Sequence, residues 1–241
     1  MIEVEGLGKR YGDVDAVTDL TFAVAPHEVL GLVGPNGAGK TTTLRCICGI
    51  LRPSAGAIRI AGHNLAAAPV RAKARLAFIP DEPHLFEALT VDEHLRFTAR
   101  LYDVSDAGPR IAALLRELEL EERRDALPDE LSRGMKQKLA IACGLIHDPA
   151  ALILDEPLTG LDPGAIRRMK ATIVERARAG AAVILSSHLL HLVEELCTRI
   201  LVIQRGRSVA AGSIADIRAS RPDLEGRGLE DVFLALTEER R

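Results

Sequence analysis

Val29-Leu30-Gly31-Leu32-Val33-Gly34-Pro35-Asn36-Gly37-Ala38-Gly39-Lys40-Thr41-Thr42 is the stretch that decides how this chain folds. Its first five residues form a continuous apolar run, the pattern of a strand buried on both faces. The run ends in a glycine-rich turn, and a helical stretch follows over residues 40–50. The turn fits G-x-x-x-x-G-K-[ST], and it has the required strand in front and helix behind. Its glycines let backbone N–H groups turn inward onto phosphate oxygens without Cβ clashes. The helix N-terminus adds its dipole and free donors. Lys40 reaches a β- or γ-phosphate as a point charge, and the Thr41 hydroxyl is a ligand for Mg²⁺.

Outward from this stretch, residues 2–24 alternate apolar and polar between glycines, which suggests a small antiparallel sheet. Further short strands are read at 57–61, 76–79, 151–154 and 182–185, with a closing hairpin over 200–203 and 208–211. Thr90 and Glu93 form a capping-box pattern ahead of a helix that Gly108-Pro109 breaks, and a second helix follows over 111–120. Ser132 caps a third, running to about 146. Strand–helix alternation at both ends with helices between implies an α/β fold: a parallel-sheet core and an inserted helical lobe. We divide the single domain, 1–241, into a core (1–83 and 151–212), a lobe (84–150) and a helical tail (213–241).

Leu152-Ile153-Leu154-Asp155-Glu156 puts two acids at the carboxyl end of a buried strand, where ligands bind in open α/β sheets. Asp155 is the candidate Mg²⁺ ligand. Glu156 is the candidate general base or water-positioning group.

The order of motifs resembles the ABC ATPase family along almost the whole chain. After the phosphate loop comes Leu131-Ser132-Arg133-Gly134-Met135, similar to the family signature Leu-Ser-Gly-Gly-Gln. Gly160-Leu161-Asp162 resembles the D-loop, Ser187-His188 the switch histidine, and Tyr11 stands where the family stacks an aromatic ring on adenine. The resemblance implies a P-loop NTPase (RecA-like) core with an N-terminal antiparallel β-subdomain and an α-helical lobe. It implies ATP with Mg²⁺, bound by Tyr11, Gly34, Pro35, Asn36, Gly37, Ala38, Gly39, Lys40, Thr41 and Thr42. Catalysis would rest on Lys40, Glu156 and His188, and Ser132, Arg133, Gly134 and Met135 would face the ATP of a second ATPase, identical or not, packed head to tail.

Three positions depart from the family pattern. Arg133 and Met135 replace Gly and Gln in the signature, and Asp81 stands where the Q-loop has Gln. The shorter, charged Asp81 is a third candidate for the metal. His84, His147 and His191 are read as structural.

The tail 229–237 resembles ATPases that serve ABC-2-type exporters. That implies ATP hydrolysis driving export through a separate permease, with this chain on the cytoplasmic face of the membrane. Its docking loop would be 81–89, with Leu85, Phe86 and Leu89 close together. The rival readings are a soluble ABC ATPase acting on ribosomes or DNA, a non-transport regulatory ATPase, and a non-hydrolysing partner subunit that only binds ATP. The chain has no heptad run and one cassette, and it keeps Glu156 and His188.

Composition narrows the classes. Net charge is −3, aromatics are 3% and Trp is absent, so nucleic-acid binding has neither charge nor stacking platforms behind it. The longest apolar runs, such as 139–146, fall well below the roughly 20 residues that cross a bilayer. Residues 1–3 open directly into a strand pattern with no signal peptide. Cys46, Cys48, Cys143 and Cys197 show no metal or redox spacing and are read as reduced thiols.

Overall fold

A computed structural model describes residues 1–159, 161–219 and 228–238, with Leu229 described by its backbone alone. Two sheets form. The first is antiparallel, in the order β2 (Val14–Val24), β1 (Ile2–Tyr11), β4 (Ala55–Ile60), β5 (His63–Asn64). The second has six strands: β10 (Arg207–Gly212), β9 (Arg199–Gln204), β3 (Val29–Val33), β8 (Ala182–Ser186), β7 (Ala151–Asp155), β6 (Leu76–Ile79). Pairing from β9 to β6 is parallel, and β10 closes the edge as an antiparallel hairpin.

The central strands β3, β7 and β8 are buried at every residue. Alternation explains why each is apolar up to the polar residue, Asp155 or Ser186, that ends β7 and β8. Val29 and Val33 join one core and Leu30 and Leu32 the other. Leu152 and Leu154 divide from Ile153 in the same way, as do Val183 and Leu185 from Ile184. One core lies under the antiparallel sheet and α1 (Lys40–Ile47). The other is shared by α6 (Pro163–Arg178), α7 (Leu190–Leu196) and helices inserted between β6 and β7.

Those inserted helices are α3 (Val91–Leu101), α4 (Ala107–Glu117) and α5 (Arg133–Leu145), and α2 (Pro69–Lys73) precedes β6. Thr90 and Glu93 make the reciprocal capping box that their spacing predicts. Gly108-Pro109 does not separate two helices as read from the sequence. Both lie in the first turn of α4, where the N–H that proline lacks has no intrahelical partner to lose. The break falls earlier, at Tyr102 and Asp103, whose φ is +51°. The short helix α2 and the strand β5 had no sequence prediction, whereas α8 (Ile214–Ala219) falls in the stretch read as the helical tail; α2 and α8 each span under two turns. The tail helix α9 spans Leu229–Glu238. Among the described residues, no helix is long and apolar enough to cross a membrane.

All four cysteines are free. Burial raises every thiol: Cys143 to about 11, Cys197 to about 12, Cys48 well above its ordinary value and Cys46 upward. We expect the native protein to resist iodoacetamide at pH 7.5, because thiolate is the nucleophile. Intact mass should show adducts only after unfolding in urea. A rapid native adduct would mean that one of these thiols is far more open than the fold indicates.

Candidate functional site

The predicted phosphate loop leaves β3 at Val33 and enters α1 at Lys40. Two of its glycines are sterically required. A Cβ on Gly34 would lie 2.3 Å from the Ile203 carbonyl oxygen, and one on Gly39 would lie 2.6 Å from that of Ala16. Gly39, with φ +103°, caps α1 without a side chain, and the first turn of α1 carries no acid. The positive end of the helix therefore stays open to an anion. A cavity of about 300 Å³ lies over it, lined by residues 36–42, Ala16, Asp155 and Glu156. Lys40 Nζ folds back into the loop, donating to the carbonyls of Gly34 (2.7 Å) and Pro35 (3.2 Å). Burial lowers the Lys40 pKa, and Glu156 and Asp155 act against that shift.

The two acids enter the same cavity from the end of β7. Asp155 is buried, and the register sets it opposite Ser186 on β8. The fully buried Ser186 hydroxyl donates to Asp155 Oδ1 (2.6 Å) and accepts from the Glu156 N–H (3.1 Å). The Ser186 carbonyl accepts from the same N–H at 3.2 Å. Glu156 takes a left-handed backbone, φ +51°. Its Oε2 accepts from the His188 backbone N–H (3.4 Å) and lies 2.8 Å from His188 Nδ1, so a carboxylate here requires the proton on Nδ1. Ser186 escaped sequence reading. Its signal was the one hydroxyl closing an otherwise apolar strand, Ala182–Ser186.

The remaining candidates lie outside this cavity. Ser132 caps α5, its Oγ accepting from the Met135 N–H at 3.3 Å, with Arg133 and Gly134 in the first turn. Asp162 caps α6 through the Ala165 N–H (2.9 Å), and that bond holds its carboxyl below the usual range. Gly160 of the proposed D-loop lies outside the described residues. Tyr11 is exposed at the end of β1, with Lys9 Nζ 5.0 Å above its ring. Asp81 follows β6, and the Pro80 carbonyl before it accepts from buried Gln137 of α5 (3.3 Å). His147 is structural: its ring stacks on Tyr102 at 3.8 Å and Nε2 meets the Leu76 carbonyl at 3.2 Å. Buried His94, not singled out in the sequence, ties α3 to the following loop. Its Nδ1 donates to the Thr90 carbonyl (2.7 Å), and its Nε2 accepts from the Phe86 N–H (3.0 Å).

Residues 17–159, more than half of the chain, match the family model described as ABC transporter. The chain is 35% identical over 241 residues to the ABC-type transporter ATP-binding protein EcsA of Bacillus subtilis (strain 168), covering 99% of this chain and 97% of that protein. It is 42% identical over 225 residues to the Nod factor export ATP-binding protein I of Paraburkholderia xenovorans (strain LB400), covering 91% and 73%. A solved ATP-binding subunit of an ABC transporter superposes with a TM-score of 0.94 at 39% identity, over 98% of this chain and 99% of that one. A dimeric ATP-binding cassette solved with ADP and Pi shares the fold, with a TM-score of 0.81 at 21% identity, over 89% and 99%.

Ser186→Ala would remove the donor to Asp155 Oδ1 and one of two acceptors of the Glu156 N–H. A lost hydrogen bond to a buried carboxylate costs about 1.5–3 kcal/mol. Urea denaturation should show that loss, and Ser186→Thr should recover most of it. Equal stability of Ser186→Ala and the parent would mean that the hydroxyl contributes nothing.

Proposed function

The chain belongs to the ABC transporter family of ATP-binding proteins and is an ATPase, and on that premise we propose how its own residues carry out the reaction. One observation carries the proposal: Lys40, Asp155 and Glu156 line a single cavity above the open end of α1. Lys40 exchanges the carbonyls of Gly34 and Pro35 for the β- and γ-phosphates of ATP, while N–H groups of residues 36–42 hold the other oxygens. The Thr41 hydroxyl and the Asp155 oxygen not engaged by Ser186 would hold Mg²⁺. Few protein oxygens plus phosphates is the donor set that this ion prefers. Bound Mg²⁺ supplies charge neutralisation at the phosphoryl oxygens.

Glu156 accepts the proton of the attacking water, and the Nδ1–H of His188 fixes the direction of its carboxylate. That leaves Nε2 of His188 for the γ-phosphate, and donation from both nitrogens requires the imidazolium form. Tyr11 stacks on adenine. Ser132, Arg133, Gly134 and Met135 meet the ATP of a second chain packed head to tail, a copy of this one or a related ATPase, and Asp162 belongs to the D-loop.

Lys40→Ala should abolish steady-state ATP hydrolysis and weaken nucleotide binding. Glu156→Gln should keep ATP affinity, lose roughly 10²- to 10⁴-fold in turnover, and run as a dimer on gel filtration with Mg-ATP. Parental turnover in Lys40→Ala would overturn the assignment.

We also propose export through a separate permease of the ABC-2 type, with this chain held at the cytoplasmic face of the membrane. The likeness to a Nod factor export ATP-binding protein supports the direction. The helical lobe, 84–150, and the loop 81–89 would receive the permease; of the tail, 213–241, residues 220–227 and 239–241 lie outside the described residues. Phe86 is 57% exposed and meets the exposed Phe97 of α3 edge-on at 5.3 Å, while Leu85 packs inward against the core. An aromatic pair shared by an anchored loop and α3 suits a short amphipathic helix. Phe86→Glu should leave folding and ATPase activity intact and abolish co-purification with the permease. Unchanged co-purification would move the docking site elsewhere.

A further inference from the structure

Two departures from the family's usual sequence lie on different segments of the chain, and the fold brings them together. Arg133 Nη2 stands 3.6 Å from Asp81 Oδ1. The first turn of α5 carries Arg133 and Lys136 and no acid, although the helix dipole disfavours cations there. Among the described residues, Asp81 is the carboxylate within 4.0 Å of Arg133. The contact is loose: 3.6 Å lies beyond hydrogen-bond range. Asp81 Oδ1 is shut off from water and accepts no hydrogen bond. The Arg133 side chain remains 59% exposed. Such a pair adds little to stability, and a guanidinium binds phosphate oxygens bidentately at shorter range. Arg133 also adjoins Ser132, whose hydroxyl oxygen accepts the cap bond from the Met135 N–H.

We propose that Asp81 masks Arg133 in the nucleotide-free chain, and that on closure of two chains the guanidinium leaves Asp81 for the triphosphate on the partner's cradle. Arg133 is then a phosphate-binding residue acting in trans, and Asp81 sets when it becomes available. This rests on the head-to-tail reading above. It makes the two replacements a single device, in which one supplies a charge and the other withholds it. The rival is a static brace, in which the pair merely ties the loop after β6 to α5.

The two differ in sign. The background is full-length Glu156→Gln at saturating Mg-ATP, where nucleotide affinity no longer enters. The readout is the dimer dissociation constant by analytical ultracentrifugation. Under masking, Asp81→Asn frees the guanidinium and tightens the dimer roughly two- to fivefold, the scale of an exposed pair. Arg133→Met weakens it roughly tenfold and flattens its dependence on NaCl. Arg133→Lys falls between, and the double variant follows Arg133→Met. If both single variants move the constant in the same direction, or neither moves it, masking is wrong. If the Glu156→Gln parent stays monomeric with Mg-ATP, the head-to-tail reading fails and masking fails with it. A dimerising parent with same-sign variants removes masking alone.

Discussion

Backbone lies directly on backbone where the phosphate loop, β2 and the β9–β10 turn converge, and the ATP site depends on that contact. The Thr18 N–H donates to the Gly206 carbonyl at 2.7 Å, and the Gly206 N–H donates to the Ala38 carbonyl at 2.9 Å. A Cβ on Gly206 would lie 2.7 Å from the Ala16 carbonyl oxygen, the same atom that excludes one from Gly39. Two segments distant in sequence thus clamp the loop through main-chain atoms. Its shape is set by chain geometry and not by rotamers, so donors can be fixed before any ligand arrives. The antiparallel sheet supplies one side of that clamp, and in this respect it belongs to the candidate site.

The acids rely on a second long-range fit. Asp155 and Glu156 are neighbours in sequence but face different tasks, and β8 keeps them apart. Ser186 grips Asp155 through its hydroxyl, while its hydroxyl and carbonyl both hold the Glu156 N–H. The chain then turns at Glu156 so that its carboxylate reaches His188. A buried carboxylate hydrogen-bonded at one oxygen has a defined direction for the other.

Legibility followed locality. The loop 34–41, the capping box at Thr90 and the cap at Ser132 were readable because each needs only a few consecutive residues to exist. The strands β3, β7 and β8 were readable because burial on both faces leaves an unbroken apolar run. Ser186 was hidden because its role appears only once β7 and β8 are in register. His94 looks like any helical histidine until the loop at Phe86 folds back on it. Gly108-Pro109 misled because the pair reads as a breaker, whereas position within the first turn makes it harmless. Asp81 and Arg133 were each visible as oddities, and their proximity was not.

The left-handed backbone at Glu156 carries an evolutionary consequence. A non-glycine residue there costs about 1–2 kcal/mol that glycine would not. Under the role proposed above for Glu156, the substitution that relieves this strain also removes the proton acceptor. A Glu156→Gly copy would lose the His188 contact but relax its main chain, and it would keep the loop at 34–41 intact. Duplicated genes of this design thus have a short route to a sister subunit that keeps the phosphate loop but lacks this carboxylate.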